Sequence, residues 1–269
     1  QFARHRAISV DVRRPSRDSM IDQYDPSLLI VGTGQPVILV PGMDGTGLLF
    51  YRQVPLLARS YRVITYALRD AAATMDVLVS DLARIIDTVA PTERRAIIVG
   101  ESFGGALALS FALAKPEQVS RLVILNSFPY FAPQRRLRLA AVGLGALPWG
   151  AMGLVRRLTA FRLHSPHTDR QEIDRFMELT ARASRGGYIN RLKLLMQYDV
   201  RHRLHELRAP TLFLAADRDH LVPSVAQARY MAARVPGSML RVLEGHGHIC
   251  LIAPDIDLEA LLNESRGAA

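Results

Sequence analysis

Ala96-Ile97-Ile98-Val99-Gly100-Glu101-Ser102-Phe103-Gly104-Gly105-Ala106-Leu107-Ala108-Leu109 joins two kinds of periodicity at a single serine. The first four residues are an unbroken apolar run, as expected of a strand buried on both faces of a parallel sheet. The last eight are small or apolar and suit a buried helix. Between them, Gly100-x-Ser102-x-Gly104 marks a sharp strand-to-helix turn that presents a nucleophilic serine. Glycines at 100 and 104 let such a turn close, because they carry no Cβ to meet neighbouring chain. The N-terminus of the following helix aims its amides and positive dipole end at the serine oxygen, where negative charge develops in acyl transfer. The alternative, a glycine-rich turn with no chemistry, is less well served by this placement between strand and helix.

Outward from this turn the chain alternates. Apolar runs at residues 37–40, 62–67, 122–125, 211–215 and 239–243 read as further strands. Residues 75–90 place Leu78, Leu82, Ile85, Ile86 and Val89 on one helical face, and a last helix is expected around residues 257–264. Alternating strands and helices predict an α/β fold, a mostly parallel sheet flanked by helices. One or two edge strands, such as residues 8–12, are expected in the leader 1–33. From about 128 to 207 no strand pattern is found. Helix-like stretches at 135–147, 150–159, 170–184 and 189–198 instead predict a helical cap or lid over the strand ends. Gly143, Gly145, Pro148 and Gly150 are candidate hinges. The expected organisation is a core of residues 1–127 and 208–269 with a cap of residues 128–207.

The 269 residues, 49% hydrophobic, are enough to bury a substantial core. Arginine supplies nearly all of the excess charge of +9, since Lys115 and Lys193 are the only lysines. The arginines are scattered, with local groups only at Arg135-Arg136-Leu137-Arg138 and Arg156-Arg157, so no nucleic-acid partner is expected. Attraction to anionic substrates or to a membrane surface stays open. Cys250 stands alone, which excludes an intrachain disulfide and a thiolate cluster. No apolar run reaches the ~18 residues of a membrane-spanning helix. The first residue is Gln1 rather than Met, so a removed leader stays open, and a cytoplasmic location is the expectation. Oligomeric state is not legible.

From about residue 36 to residue 264 this pattern resembles the α/β-hydrolase superfamily. The resemblance implies a serine, then an acid, then a histidine in chain order. After the fifth strand of the alternation, the segment Ala216-Asp217-Arg218-Asp219-His220-Leu221-Val222-Pro223 offers two acids. The superfamily's acid has a proline four positions later, which favours Asp219, with Asp217 as the alternative. In Glu244-Gly245-His246-Gly247-His248 both histidines follow a glycine. The apolar Ile249-Cys250-Leu251-Ile252 and then Pro254 favour His248 as the base, with His246 as the alternative. Two histidines at i and i+2 could also ligate a metal. No third ligand is suggested by spacing, so neither a metal nor an organic cofactor is expected. The resemblance also implies an oxyanion hole made by the amides of Phe103 and Met43, the latter in Pro41-Gly42-Met43-Asp44-Gly45-Thr46-Gly47. Pro41 replaces the usual histidine, and the donor, being backbone, survives that change. The loop is not a phosphate-binding loop, because no Gly-Lys-Ser/Thr follows.

The loop at 40–47 together with Gly100-Glu101-Ser102-Phe103-Gly104-Gly105 also resembles plant phytyl ester synthases and their bacterial esterase, lipase and thioesterase-like relatives. That likeness implies a small-molecule ester with a hydrophobic acyl group. His164-Ser165-Pro166-His167-Thr168-Asp169 fits the acyltransferase pattern His-x4-Asp of those plant proteins, although coincidence explains it better. Phe128, Tyr130, Phe131, Trp149, Phe161, Phe176, Tyr188 and Tyr198 fall in the cap. Some are expected to line an acyl pocket and most to be cap core. A carboxylic-ester hydrolase is the leading reading. An acyltransferase or thioesterase would use the same three residues, and a ligand-binding protein that kept the fold is the non-enzymatic alternative.

Overall fold

The computed structural model describes residues 27–131 and 163–264. Seven strands form one sheet: β1 (Leu28–Val31), β2 (Pro36–Val40), β3 (Arg62–Tyr66), β4 (Ala96–Glu101), β5 (Val119–Leu125), β6 (Thr211–Ala216) and β7 (Met239–Leu243). Their order is β1-β3-β2-β4-β5-β6-β7, with β1 antiparallel to β3 and every other pair parallel. The six runs read as strands in the sequence are all strands, and the flanked parallel sheet is the expected α/β-hydrolase architecture. β1 is an edge strand within the leader. Its half-exposed Leu29 and Ile30 give it no buried run to announce it. The strand expected at residues 8–12 lies outside the described residues.

The helices are α1 (Gln53–Leu57), α2 (Met75–Val89), α3 (Phe103–Ala114), α4 (Arg170–Thr180), α5 (Arg185–Gln197), α6 (Ser224–Ala232) and α7 (Leu258–Glu264). Each strand feeds both faces of the sheet. Ile38, Val40, Ile64 and Ile98 pack on one side with Leu78, Leu82 and Ile86 of α2 and Leu107 and Phe111 of α3. Val37, Leu39, Val63, Ile97 and Val99 pack on the other side with Leu57 of α1 and Leu258 and Leu262 of α7. Strand side chains are buried on both faces of the sheet, which accounts for runs that are apolar throughout rather than alternating.

α1 and α6 were not legible in the sequence. α1 is barely more than one turn long, and α6 buries only Ser224, Ala228 and Met231. α5 begins four residues before the expected 189, because Ser184 caps it by accepting a hydrogen bond from Gly187 N at 3.2 Å. Of the expected cap helices, 170–184 and 189–198 correspond to α4 and α5. Those at 135–147 and 150–159, the candidate hinges, Trp149, Phe161 and the two arginine groups lie outside the described residues.

From β2 the chain moves to β3 on one side and then crosses back to β4 on the other. This makes the carboxyl ends of β2 and β4 a topological switch point, where open α/β sheets place their ligand crevice. Val40 pairs with Gly100 there, so the loop after β2 and the turn after β4 emerge side by side.

Candidate active site

Ser102 sits between β4 and α3 with φ 55° and ψ −119°, a left-handed backbone that a serine adopts only under constraint. The constraint is visible in its neighbours. A Cβ on Gly100 would lie 2.3 Å from Gly104 O, and one on Gly104 would lie 2.2 Å from Val40 O. The turn therefore closes only with glycine at both places. Ser102 N donates to Leu125 O at 3.0 Å and Ser102 O accepts from Ser127 Oγ at 2.7 Å, which ties the strained residue to the end of β5.

The acid and base loops leave β6 and β7, the next strands along. His248 Nδ1 lies 2.7 Å from Asp219 Oδ2, with both side chains buried. Asp219 Oδ1 accepts from Leu221 N and Val222 N, each at 2.9 Å, and Oδ2 also accepts from Ser224 Oγ. Burial pushes this carboxyl upward. The hydrogen bond and charge of His248, then Ser224 and the Val222 amide, outweigh it and hold Asp219 below the ordinary carboxylate range. A His248 that donates Nδ1–H to this acceptor leaves Nε2 bare and able to take a proton. The two alternatives are occupied elsewhere. Asp217 Oδ1 accepts from Gly245 N at 2.7 Å, closing the β7 turn. His246 Nδ1 lies 2.9 Å from Ser165 Oγ, and its Nε2 lies 3.3 Å from Asp255 Oδ2.

Asn126, the residue after β5, joins these parts and went unnoticed in the sequence. In a left-handed conformation (φ 46°), its Nδ2 donates to His248 O at 2.8 Å. Its Oδ1 accepts from Ala216 N, also at 2.8 Å. Through residues 125–127 the serine turn, the end of β6 and the histidine loop hang on one short segment. An asparagine in left-handed geometry immediately after a strand is a signal that local reading does not weigh.

Met43 lies in the loop after β2, partly buried, and Phe103 is the first residue of α3, fully buried. The close approach of Gly104 to Val40 O and Pro41 O places their two backbone segments against each other. A second residue that sequence reading missed holds this loop from outside. Arg191 of α5 is buried, and its Nε donates to Met43 O at 2.9 Å. Its Nη2 donates to Asp44 O at 3.0 Å, and Nη1 meets Asp70 Oδ1 at 3.1 Å. α4 is tied to the same side of the core by Tyr51 Oη, which donates to Glu172 Oε2 at 2.5 Å, and by an Arg52–Glu172 ion pair at 3.1 Å.

A model of the α/β-hydrolase fold matches residues 35–253. The chain belongs to this family. RutD of Azorhizobium caulinodans, a proposed carbamate hydrolase, is 28% identical over 258 residues, covering 87% of this chain and 92% of that protein. A hydrolase from Pseudomonas aeruginosa PA01 has the same fold, with a TM-score of 0.79, 22% identity and coverage of 89% and 93%. So has the enol-lactonase from Burkholderia xenovorans LB400, with a TM-score of 0.75, 19% identity and coverage of 90% and 94%.

Within this family fold two buried polar groups stand out beside the candidate residues. Glu101, next to Ser102, has an enclosed Oε1 with no hydrogen-bond partner. Desolvation pushes its carboxyl up to about 7, moderated by His248 and reinforced by Asp44 and Asp219. His164 is buried against Phe176, with ring centroids 4.9 Å apart and neither ring nitrogen hydrogen-bonded. Burial lowers it to about 4 and so keeps it neutral. Its backbone bridges to Ile249, one residue from His248. Asp169, the other half of the His-x4-Asp pattern, precedes α4 at its N-cap. Among the described residues no helix is long and apolar enough to cross a membrane.

Proposed function

We propose that this chain is a serine hydrolase of carboxylic esters with a hydrophobic acyl group, acting through an acyl-enzyme on Ser102. The observation that carries the reading is the 2.7 Å His248–Asp219 pair, anchored by Asn126 to the strand end that also holds the strained Ser102. In this reading His248 Nε2 takes the proton of Ser102 Oγ as the oxygen attacks the acyl carbon, and Asp219 steadies the resulting imidazolium. The amides of Met43 and Phe103 stabilise the oxyanion. His248 returns the proton to the leaving alcohol, and a water activated by the same imidazole then frees the acid.

Residues 128–207 act as the cap in this proposal, and Arg191 and Glu172 are its ties to the core. Phe128 and Tyr198 belong to the core, and the half-buried Phe131 packs edge-on against Phe128 with ring centroids 4.7 Å apart, so an acyl chain in this proposal would run along an aromatic wall that is already packed. The likeness to RutD brings in a second substrate class, since a carbamate carbonyl is open to the same serine attack.

The test is a p-nitrophenyl ester panel from acetyl to palmitoyl, run beside a p-nitrophenyl carbamate. Ser102→Ala should lose roughly 10⁴-fold or more in kcat on whichever class is turned over. His248→Ala should do likewise, and His246→Ala should not. Undiminished hydrolysis by Ser102→Ala overturns the mechanism, and abolition by His246→Ala alone overturns the choice of base. Transfer of a labelled acyl group to a long-chain alcohol in preference to water would make the chain an acyltransferase.

A further inference from the structure

We propose that His167, His246 and Asp255 form a binding site for one divalent transition-metal ion of the zinc type, tying the turn at residues 165–168 to the loop that carries His248. Nearly 80 residues separate His167 from His246, so no sequence spacing links them. The fold brings one ligand atom from each of the three residues within 4.8 Å of the others. Each oxygen of Asp255 faces one imidazole: Oδ1 lies 2.7 Å from His167 Nε2, and Oδ2 lies 3.3 Å from His246 Nε2. The two rings stand 4.8 Å apart at 78°. Two imidazole nitrogens and one carboxylate are a donor set that zinc accepts, with the fourth tetrahedral position open to water.

The surroundings of His246 are those of a ligand held from behind. Its side chain is 5% exposed, and Nδ1 lies 2.9 Å from Ser165 Oγ, which also accepts from Gly247 N at 3.4 Å. With Nδ1 engaged by Ser165 Oγ, Nε2 is the ring nitrogen that faces Asp255 and the one available to an ion. His167 and Asp255 are 41% and 55% exposed, so closing on an ion at the ~2.0–2.2 Å bond lengths of zinc requires side-chain rotation rather than backbone movement.

The consequence is mechanical. Ile249 N already donates to Leu163 O at 2.8 Å beside this cluster, and His248 follows His246 by two residues. An ion at the cluster would fix the histidine loop against the 163–168 segment on a second bond set.

The full chain, stripped with a chelator and dialysed, is titrated with ZnCl₂ by isothermal calorimetry. Co²⁺ serves in parallel as a spectroscopic probe. The expected result is one Zn²⁺ per chain, bound at least about tenfold more weakly by His167→Ala and by Asp255→Asn and unchanged in the surface control His205→Ala. At a hundredfold excess over Kd the wild-type melting temperature should rise by roughly 5 °C or more, and neither ligand variant should follow. The visible bands of bound Co²⁺ should disappear in both. Because the two substituted residues are exposed, their variants keep the fold, which circular dichroism checks. Absence of saturable binding near one equivalent, or binding equal in wild type and both variants, overturns the site.

Discussion

Glu101 stands between Gly100 and Ser102 with an enclosed oxygen that no donor reaches. Its carboxyl, pushed up to about 7, keeps its proton in the folded chain over a range where the unfolded chain has already lost it. For an acid raised in this way, stability falls as pH rises from the unfolded value near 4.5 to the folded one, and stays lower above it. The full shift corresponds to about 3 kcal/mol, of which about 1–2 kcal/mol is expected, because the residue as a whole keeps some exposure. Glu101→Gln should therefore melt roughly 3–6 °C above wild type at pH 8, with the gap closing below about pH 5. Thermal melts of both proteins across this range check it, and a gap that does not change with pH would sink the account. At this scale the sequence showed where a strained serine would sit, and the resemblance favoured Asp219 over Asp217 and His248 over His246. That preference leaned on Pro223, four positions after Asp219, and on the apolar run and Pro254 after His248, since both histidines follow a glycine and both acids follow β6. What no local pattern carries is the long-range partner of each acid: the carboxylate of Asp217 goes to Gly245, and that of Asp219 to His248.

α5 reaches the loop after β2 through Arg191. Arg191 is 1% exposed and spans two carbonyls of the loop after β2 as well as Asp70. A lysine has the charge but not the fork, so it cannot make these bonds together. Arg191→Lys should cost about 2–4 kcal/mol in urea unfolding and lower kcat on the best ester by roughly 10–100-fold, with a smaller effect on KM, as displacement of a donor loop requires. A KM-only effect would argue that α5 shapes substrate binding rather than the loop after β2. Periodicity announced α2, and a continuous run of small and apolar residues announced α3, which is buried on nearly every side. Periodicity could not announce α1 or the capped start of α5, where Ser184 and tertiary packing decide the ends. Arg191 itself reads in the sequence as one more arginine among many. Its role exists only because residues 43–44 lie across from it.

Across the whole molecule the parallel sheet was the most legible feature, since strands buried on both faces are written as continuous apolar runs. Strand order was not, because the return from β3 to β4 across β2 depends on pairing and not on pattern. That order has a kinetic corollary. The loops carrying Asp219 and His248 reach the side of the sheet that holds Ser102 only when β6 and β7, which begin more than 100 residues after the serine, add to the β5 edge. Loops of that length close late, and the sheet contacts that reward closure are non-local. After dilution from urea, far-ultraviolet circular dichroism should therefore recover before ester hydrolysis, with a lag that double-jump experiments can time. Coincident recovery would mean that β6 and β7 dock as early as the rest. If the lag is seen, turnover reports arrival of the last two strands, and the chain carries its own clock for the end of folding.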